Sequence, residues 1–288
     1  MKPMLESFIG CDCPYEEADA VLFGAPFDST TSFRPGTRFG PKAMRSESFG
    51  IETYSPYQDL DLEDFRVCDL GDLELPFGNS VKTLEQVEET AAQILTNGKL
   101  PLMLGGEHLL SLGAIRAALK RYPDLCVLHF DAHTDLREEY LGETLSHATV
   151  MRRVWDLLGD DRICQFGIRS GEKAEFYWAK EHTRLQKFNF DGLEETIKAL
   201  KGKPVYFSID LDVLDPSVFP GTGTPEAGGV TFSELLRAIL PAGNLQIVGM
   251  DLMELCPVYD PSGRSTAVAC KTARELLLSV LSHRNNEK

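Results

Sequence analysis

The chain has 288 residues, of which 43% are apolar, and its formal net charge at pH 7 is −15. This length and composition fit one large α/β domain with a sizeable core, and we expect a single domain spanning residues 1–288. The acidic charge gives no electrostatic reason to bind nucleic acid or anionic lipid. No apolar run approaches the roughly 18 residues of a membrane span, and the first six residues lack the apolar core of a signal peptide. We therefore expect a cytoplasmic protein.

Short apolar runs alternate with segments of helical periodicity along the chain. Runs of β-type composition, such as A-V-L-F-G at residues 20–24, predict strands, and apolar residues three or four apart predict helices. The clearest helix is expected to have Ser80 as its N-cap and to end at Asn97-Gly98. Its predicted apolar face consists of Val81, Leu84, Val87, Ala91 and Ile94. The predicted strands span residues 20–24, 66–70, 100–104, 126–130, 163–168, 184–188, 204–211 and 245–252. The other predicted helices span residues 41–45, 109–120, 147–158, 171–181, 193–200, 233–240 and 266–281.

Strands that alternate with helices form parallel β-α-β units, so we expect an α/β fold with helices on both faces of an eight-stranded parallel sheet. The loop at residues 25–45 is long and rich in Gly, Pro and hydroxyl residues, which is typical of a functional loop. Gly105 and Gly106 are expected to let the backbone turn sharply and to place His108 at the carboxyl end of the third strand.

Unusual polar residues follow four of the predicted strands. In an open parallel sheet, ligands bind beyond the carboxyl ends of the strands. Alternate residues of an extended chain point to the same side, so residues 131, 133 and 135 would share one small volume. Each residue alone has an ordinary interpretation as a turn, cap or core residue, but their common position favours a metal site. The residues are His108, then Asp131, His133 and Asp135, then Asp210 and Asp212, and finally Glu254.

The number and type of these groups favour two metal ions. Six ligands exceed the three protein groups that a catalytic zinc ion takes, whereas two cations sharing bridging carboxylates would use all six. Four carboxylates and two imidazoles, with no thiolate, favour manganese. Such a pair lowers the pKa of bound water to about 7, so we expect a hydrolase. Glu254 and the loop glutamates Glu138, Glu139 and Glu143 favour a cationic substrate, although a solvated surface is the ordinary interpretation of the loop glutamates.

Five motifs resemble those of the ureohydrolases, the arginase and agmatinase family. They are G-G-E-H at residues 105–108, D-A-H-T-D at 131–135, S-H-A-T at 146–149, S-I-D-L-D-V-L-D-P at 208–216 and G-T-G-T-P-E-A-G-G at 221–229. The resemblance extends over nearly the whole chain. It implies a three-layer α/β/α fold of the arginase type and a centre with two Mn²⁺ ions.

The resemblance also implies the ligand set of each ion. The expected ligands are His108, Asp131, Asp135 and Asp210 for one ion and Asp131, His133, Asp210 and Asp212 for the other. Asp131 and Asp210 would bridge the two ions, and Asp135 would also orient the attacking hydroxide.

Three further residues match positions of the family that act on the substrate. His147 resembles the catalytic histidine that passes a proton to the leaving amine. Glu254 matches the carboxylate that holds the guanidinium group by charge-assisted hydrogen bonds. Thr224 lies in the substrate-side loop of the family.

The segment after residue 135 favours agmatine as the substrate. Arginases carry Asn and Ser there to bind the α-amino acid group, and the sequence L-R-E-E-Y-L-G-E-T-L-S-H lacks that pattern. This segment and residues 32–45 resemble agmatinases, whose substrate is doubly cationic. We therefore expect hydrolysis of agmatine to putrescine and urea. Arg137 could bind a carboxylate, which leaves arginine and 4-guanidinobutyrate as alternatives.

A protein of another class remains the alternative to an enzyme. A non-catalytic guanidine- or metal-binding protein could use the same fold, and the loss of a ligand or of His147 would favour it. None of these residues is missing. The family is commonly trimeric or hexameric, so we expect a homo-oligomer.

Overall fold

The computed structural model describes residues 7–286, which form an eight-stranded parallel sheet and a short antiparallel pair. The strands are β1 (Ala20–Ala25), β2 (Tyr54–Ser55), β3 (Leu60–Asp61), β4 (Val67–Asp72), β5 (Leu100–Gly105), β6 (Cys126–Phe130), β7 (Ile163–Ile168), β8 (Arg184–Lys187), β9 (Pro204–Asp210) and β10 (Gln246–Met253). The helices are α1 (Gly40–Ser48), α2 (Ser80–Thr96), α3 (Ser111–Arg121), α4 (Val150–Leu158), α5 (Lys173–His182), α6 (Leu193–Leu200), α7 (Phe232–Ala242) and α8 (Arg264–Asn286). Among residues 7–286, no helix is both long and apolar enough to span a bilayer.

Helices cover both faces of the sheet because alternate strand residues point to opposite sides. In β1, Ala20 and Leu22 pack in the core that contains residues of α1, α6, α7 and α8. Val21 and Phe23 pack in the opposite core, which contains residues of α2, α3, α4 and α5. The eight strands pair in the order β4-β1-β5-β10-β9-β6-β7-β8. These features confirm the predicted three-layer α/β/α fold with an eight-stranded parallel sheet.

The predicted site residues follow the four adjacent strands at the middle of the sheet, β5, β10, β9 and β6. His108 lies just beyond β5, Asp131 follows β6, Asp210 ends β9 and Glu254 follows β10. Because the strands are parallel, their carboxyl ends meet at one edge, where α/β proteins bind ligands. The last strand in the chain, β10, lies between β5 and β9 and so joins the two halves of the sheet.

The start of α2 differs from the prediction at two residues. Asn79, not Ser80, is the N-cap, and its side chain accepts a hydrogen bond from the Lys82 amide at 3.0 Å. Asn and Ser are comparable N-caps, so local sequence could not choose between neighbours. Val81 was predicted on the apolar face, but it is 54% exposed because the first turn borders a surface cavity.

The two glycines before His108 are needed for a different reason from the predicted sharp turn. Gly105 and Gly106 do not have positive φ angles, so no left-handed turn requires them. A Cβ atom on Gly106 would instead overlap the carbonyl of Phe27, and one on Gly105 would overlap the side chain of Met253. The two glycines therefore permit close packing of the loop after β1 and the end of β10 against this turn.

Candidate metal centre

The six predicted metal ligands meet beyond the carboxyl ends of β5, β6 and β9. Five of them are buried, and His133 has 24% of its side chain exposed. Strand ends fix most of these positions, and Asp210 also accepts a hydrogen bond from the Asp212 amide at 2.8 Å. The structure brings together His108, Asp131, His133, Asp135, Asp210 and Asp212.

One group of ligands surrounds His108. Its Nδ1 atom lies 3.1 Å from Asp131 Oδ2, 3.2 Å from Asp210 Oδ2 and 3.3 Å from Asp135 Oδ2. This nitrogen is buried and makes no hydrogen bond of acceptable geometry with the described residues. Burying a polar atom without a partner is costly, and ligation of a cation by the imidazole nitrogen would satisfy it. The group therefore fits a metal ion.

A second group surrounds His133 and shares one carboxylate with the first. Nδ1 of His133 lies 3.0 Å from Asp212 Oδ2 and 3.5 Å from Asp131 Oδ1. The Oδ2 atom of Asp131 faces His108, so the two oxygens of one carboxylate point toward different histidines. That arrangement suits a bridging carboxylate between two cations.

Burial and mutual repulsion disfavour the charged forms of two carboxylates in the cluster. Burial raises the pKa of Asp210 well above its ordinary value, and the charges of Asp212 and Asp131 raise it further. Burial also raises the pKa of Asp135 to about 6, with a contribution from Asp131. Burial opposes a charge on His108, but the surrounding carboxylates raise its pKa well above the ordinary value. Divalent cations would neutralise these carboxylates.

His129, which the sequence did not single out, orients the shared carboxylate. The side-chain amide of Gln165 donates to His129 Nδ1 at 3.1 Å, so the Nε2–H of His129 can donate to Asp131 Oδ2 at 2.9 Å. His129 is fully buried in β6, among apolar residues. A histidine inside an apolar strand was the available signal, since such a residue needs a buried polar partner.

A second buried series of hydrogen bonds orients His108. Its Nε2 lies 2.9 Å from Ser208 Oγ, whose hydroxyl donates to Asp251 Oδ1 at 2.7 Å. Tyr206 donates to the other oxygen of Asp251 at 2.8 Å. These bonds hold the ring with Nδ1 toward the carboxylates, as the outer contacts of metal-binding histidines usually do. The spacing of Tyr206 and Ser208 on one face of β9 was the signal in the sequence.

Two site residues have left-handed backbone conformations, with φ of 53° at Asp135 and 65° at Glu254. Such conformations cost non-glycine residues on the order of 1 kcal/mol or more. Hydrogen bonds hold both in place: the Asp135 carbonyl accepts from Met151 and Arg152 amides, and the Glu254 amide donates to Gly106. Both strained residues therefore lie in or directly beside the ligand cluster.

His147 lies in a 3-10 turn (His147–Thr149) that precedes α4, rather than in the predicted helix itself. Its amide donates to Thr30 Oγ1 at 3.0 Å, and its Nε2 lies 3.0 Å from Ser32 Oγ. Burial lowers the pKa of His147 to about 4, and His133 and His108 add to this effect. His147 is therefore a neutral imidazole in this environment.

A cavity of about 260 Å³ joins His147 to the ligand cluster. His133, Asp135 and Thr224 also line it, and Thr224 Oγ1 lies 3.4 Å from Asp212 Oδ2. The cavity is thus the space in which a small substrate could contact both the cluster and His147.

Glu254 stands beside the turn that carries His108. Its Oε1 accepts a hydrogen bond from the His108 amide at 2.8 Å, and its side chain is buried. Burial raises its pKa well above the ordinary value, and the neighbouring Glu107 contributes to the shift. A cationic group bound against Glu254 would offset that burial.

The loop glutamates are not part of the cluster. Glu138, Glu139 and Glu143 are all exposed, which agrees with the ordinary interpretation of a solvated surface. The nearby Arg137 faces the cavity, but its charge is already paired. Its guanidinium lies 3.1 Å from Glu172 Oε1.

Comparisons with known proteins agree with this arrangement. The chain matches the Arginase family over residues 18–279. It is 50% identical over 276 residues to an agmatinase of Bacillus anthracis, covering 94% of this chain and 95% of that protein. It is 36% identical to a guanidinobutyrase of Pseudomonas aeruginosa, covering 90% and 85% of the two chains. The crystal structure of an agmatine ureohydrolase of Thermoplasma volcanium superposes with a TM-score of 0.90 at 33% identity, covering 99% of this chain and 97% of that one. The chain belongs to the arginase family.

Proposed function

We propose that this protein hydrolyses the guanidinium group of agmatine to give putrescine and urea. The observation that carries the proposal is the cluster around His108 Nδ1, two of whose ligands, His133 and Asp135, line the same cavity as His147. Similarity to the Bacillus anthracis agmatinase over nearly the full length of both chains supports the choice of reaction. Production of putrescine would place the reaction in polyamine biosynthesis.

We propose that the cluster binds two Mn²⁺ ions. Carboxylates and imidazoles without thiolates are the donors that favour manganese among the common divalent metals. Asp131 and Asp210 would bridge the ions, His108 and Asp135 would complete one site, and His133 and Asp212 would complete the other. When bound, the pair would supply a hydroxide nucleophile at neutral pH.

Side chains that line the cavity, together with Glu254 beside the turn that carries His108, would bind and orient the substrate. A guanidinium group stays charged at ordinary pH, and its carbon is a poor electrophile, so its position relative to the nucleophile matters. Glu254 would hold this cation through its carboxylate, and Asp135 would orient the attacking oxygen. Thr224, which lines the cavity close to Asp212, would contact the substrate through its hydroxyl group.

His147 would move the proton that the reaction requires. The leaving amine must be protonated before the carbon–nitrogen bond can break. A neutral imidazole can accept a proton at Nε2 and pass it to that nitrogen. The position of His147 on the cavity wall, beside the ligand cluster, supports this role.

The charges of the cavity favour an amine over a carboxylate at the far end of the substrate. Arg137 is the single cationic side chain among the described residues that line the cavity, apart from the histidines. It lies 3.1 Å from Glu172 and 3.8 Å from Glu175, and its guanidinium stacks 4.3 Å from the Tyr140 ring centroid. A substrate carboxylate would compete with two glutamates for this arginine, whereas an ammonium group would not.

A substrate panel tests the proposal. Urea release should be measured from agmatine, arginine and 4-guanidinobutyrate with Mn²⁺ present. We expect the highest kcat/KM with agmatine. The absence of urea release from agmatine would refute the proposed function.

Hydrolysis of 4-guanidinobutyrate or arginine is the second candidate. Arg137 at the cavity edge and the 36% identity to a guanidinobutyrase are the observations that favour it. A higher kcat/KM with either acid would replace agmatine as the substrate. Binding of guanidines and metal without any urea release would instead favour the non-catalytic alternative.

We also propose that the protein is cytoplasmic and assembles as a homotrimer or homohexamer. The basis for both is the resemblance to the arginase family. Light scattering of the purified protein would test the assembly, and cell fractionation would test the location.

A further inference from the structure

We propose that Glu107 and Thr30 are positioning residues for His147, an inference that rests on the proposed proton transfer by that histidine. Neither residue belongs to the six-residue ligand cluster. Together they connect the turn after β5 to the backbone of His147.

Glu107 anchors the loop that follows β1. Its side chain is fully buried, and its carboxylate accepts two hydrogen bonds from Thr30, at 2.8 Å from the amide and 2.6 Å from the hydroxyl. The Glu107 amide donates to the Phe27 carbonyl at 2.8 Å. Phe27 and Thr30 of this loop are therefore fixed to the turn that also carries His108.

The Thr30 hydroxyl transmits this anchor to His147. A hydroxyl group has one hydrogen, and here it is directed to Glu107 Oε1. Its oxygen therefore presents a lone pair to the His147 amide, which donates to it at 3.0 Å. The His147 amide sets this direction because it can only donate, which leaves the Thr30 hydrogen for Glu107.

The same loop also contacts the ring of His147. Ser32 Oγ lies 3.0 Å from His147 Nε2, the atom to which we assign the proton. Thr30 thus fixes the backbone of His147, and Ser32 fixes its ring. A shift of the loop would move both contacts, and small displacements of a reacting group lower rates steeply.

The position of Glu107 in the interior requires hydrogen bonds to its carboxylate oxygens. A buried carboxylate is stable only with several donors. Among the described residues, Thr30 donates two hydrogen bonds to this carboxylate, and the Thr31 hydroxyl lies farther away, at 3.5 Å. The carboxylate is therefore committed mainly to the residue that bonds to His147.

Substitution of Thr30 separates positioning from general damage to the loop. Thr30→Val removes the hydroxyl group at nearly constant volume, and Thr30→Ser retains it. For Thr30→Val we expect kcat to fall about 10- to 100-fold with KM changed less than about twofold. Thr30→Ser should restore most of kcat. Manganese content, measured by inductively coupled plasma mass spectrometry, should equal that of the wild type in both variants.

The neighbouring threonine provides the matched control. Thr31→Val makes the same chemical change one residue away, at a hydroxyl with no described contact to His147. We expect its kcat to stay within about threefold of the wild type. Equal losses in Thr30→Val and Thr31→Val would overturn the proposal, because they would indicate general loop damage.

A double-mutant cycle tests whether Thr30 acts through His147. In a His147→Ala background, Thr30→Val should reduce kcat by less than about twofold, because the ring that it positions is gone. A loss as large as in the wild-type background would show an independent role and overturn the proposal.

A crystal structure of manganese-loaded Thr30→Val provides a readout that does not depend on turnover. We expect the His147 ring to lose its 3.0 Å contact with Ser32 in this variant and to keep it in Thr30→Ser. An unmoved ring in Thr30→Val would overturn the proposal. Absence of urea release by the wild type would instead refute the proposed function, and the ring position would still be tested.

Discussion

The two sides of the cavity are built differently. The ligand cluster stands on the ends of adjacent strands, and its side chains are almost fully buried. The facing side, with His147, Tyr140 and Ser32, stands on loops that side-chain hydrogen bonds hold together. The sheet thus positions the groups that would coordinate metal ions, whereas the loops carry groups that would contact the substrate. We expect substitutions on the first side to affect metal binding and those on the second to affect turnover.

The largest effect is expected at the carboxylate that both ligand groups share. Asp131→Asn removes the charge that faces both His108 and His133. Manganese content should fall below one ion per chain, and kcat should fall at least about 10³-fold, since the nucleophile depends on the metals. Metal analysis and urea release would measure these effects. Full manganese content in this variant would contradict the strand-end assignment.

His147→Ala should give the next largest effect and should separate the two sides. Loss of a proton-transfer group typically lowers the rate by about 10²–10⁴-fold. Because His147 is not among the predicted ligands, manganese content and substrate binding should be retained. Calorimetric titration with agmatine and steady-state kinetics would measure both. An unchanged kcat would exclude the proton-transfer role.

Ser208→Ala should weaken metal binding without removing a ligand. It breaks the chain between His108 and Asp251, so the imidazole is no longer held in one orientation. Loss of such an outer contact typically costs about 10- to 100-fold in metal affinity. Competition with a fluorescent chelator would measure the change. The exposed Ser217 offers a control, because Ser217→Ala should leave metal affinity unchanged.

Metal removal should change how stability depends on pH. The pKa of Asp135 is raised to about 6, and those of His108 and Asp210 are raised well above their ordinary values. The folded metal-free protein therefore binds more protons than the unfolded chain, and its stability falls as the pH rises from about 5 to 8. Each extra bound proton changes the slope by about 1.4 kcal/mol per pH unit.

Thermal unfolding at several pH values, with chelator or with Mn²⁺, would measure this difference in slope. The charged groups outside the cluster are the same in both conditions, so the comparison isolates the contribution of the cluster. Bound cations replace protons as the neutralising charge, so the manganese-loaded protein should show the flatter dependence. Identical slopes would contradict the charge distribution described for the cluster.

The smallest effect is expected from the loop glutamates. Glu138→Gln and Glu139→Gln change exposed side chains, and exposed charges interact weakly in water. The kcat/KM for agmatine should change less than about twofold at physiological salt. A tenfold loss would show that the acidic loop contacts the substrate.

The sequence predicted the strand-end side better than the loop side. Asp131, His133 and Asp135 alternate just after an apolar run, and the structure brings them together, although Asp135 has a left-handed rather than an extended backbone. The contacts of Thr30 with Glu107 and His147 join residues 77 and 117 positions apart. Such contacts depend on the paths of loops, which no local periodicity specifies.

Two smaller differences between prediction and structure, at His129 and at the N-cap of α2, also have physical causes. The role of His129 depends on Gln165, which lies on the neighbouring strand β7, so its own strand does not specify it. The N-cap at Asn79 was missed by one residue because adjacent polar residues cap helices equally well. The roles of the individual site residues and the single-domain boundary stay predictions.

The position of β10 has a consequence for biogenesis. This strand is the last of the sheet to leave the ribosome, yet it separates β5, which precedes His108, from β9, which ends in Asp210. A nascent chain that lacks it holds the two residues on halves of the sheet that are not yet hydrogen-bonded to each other. We therefore expect both metal sites to be complete only after β10 has been synthesised and has paired with its two neighbours.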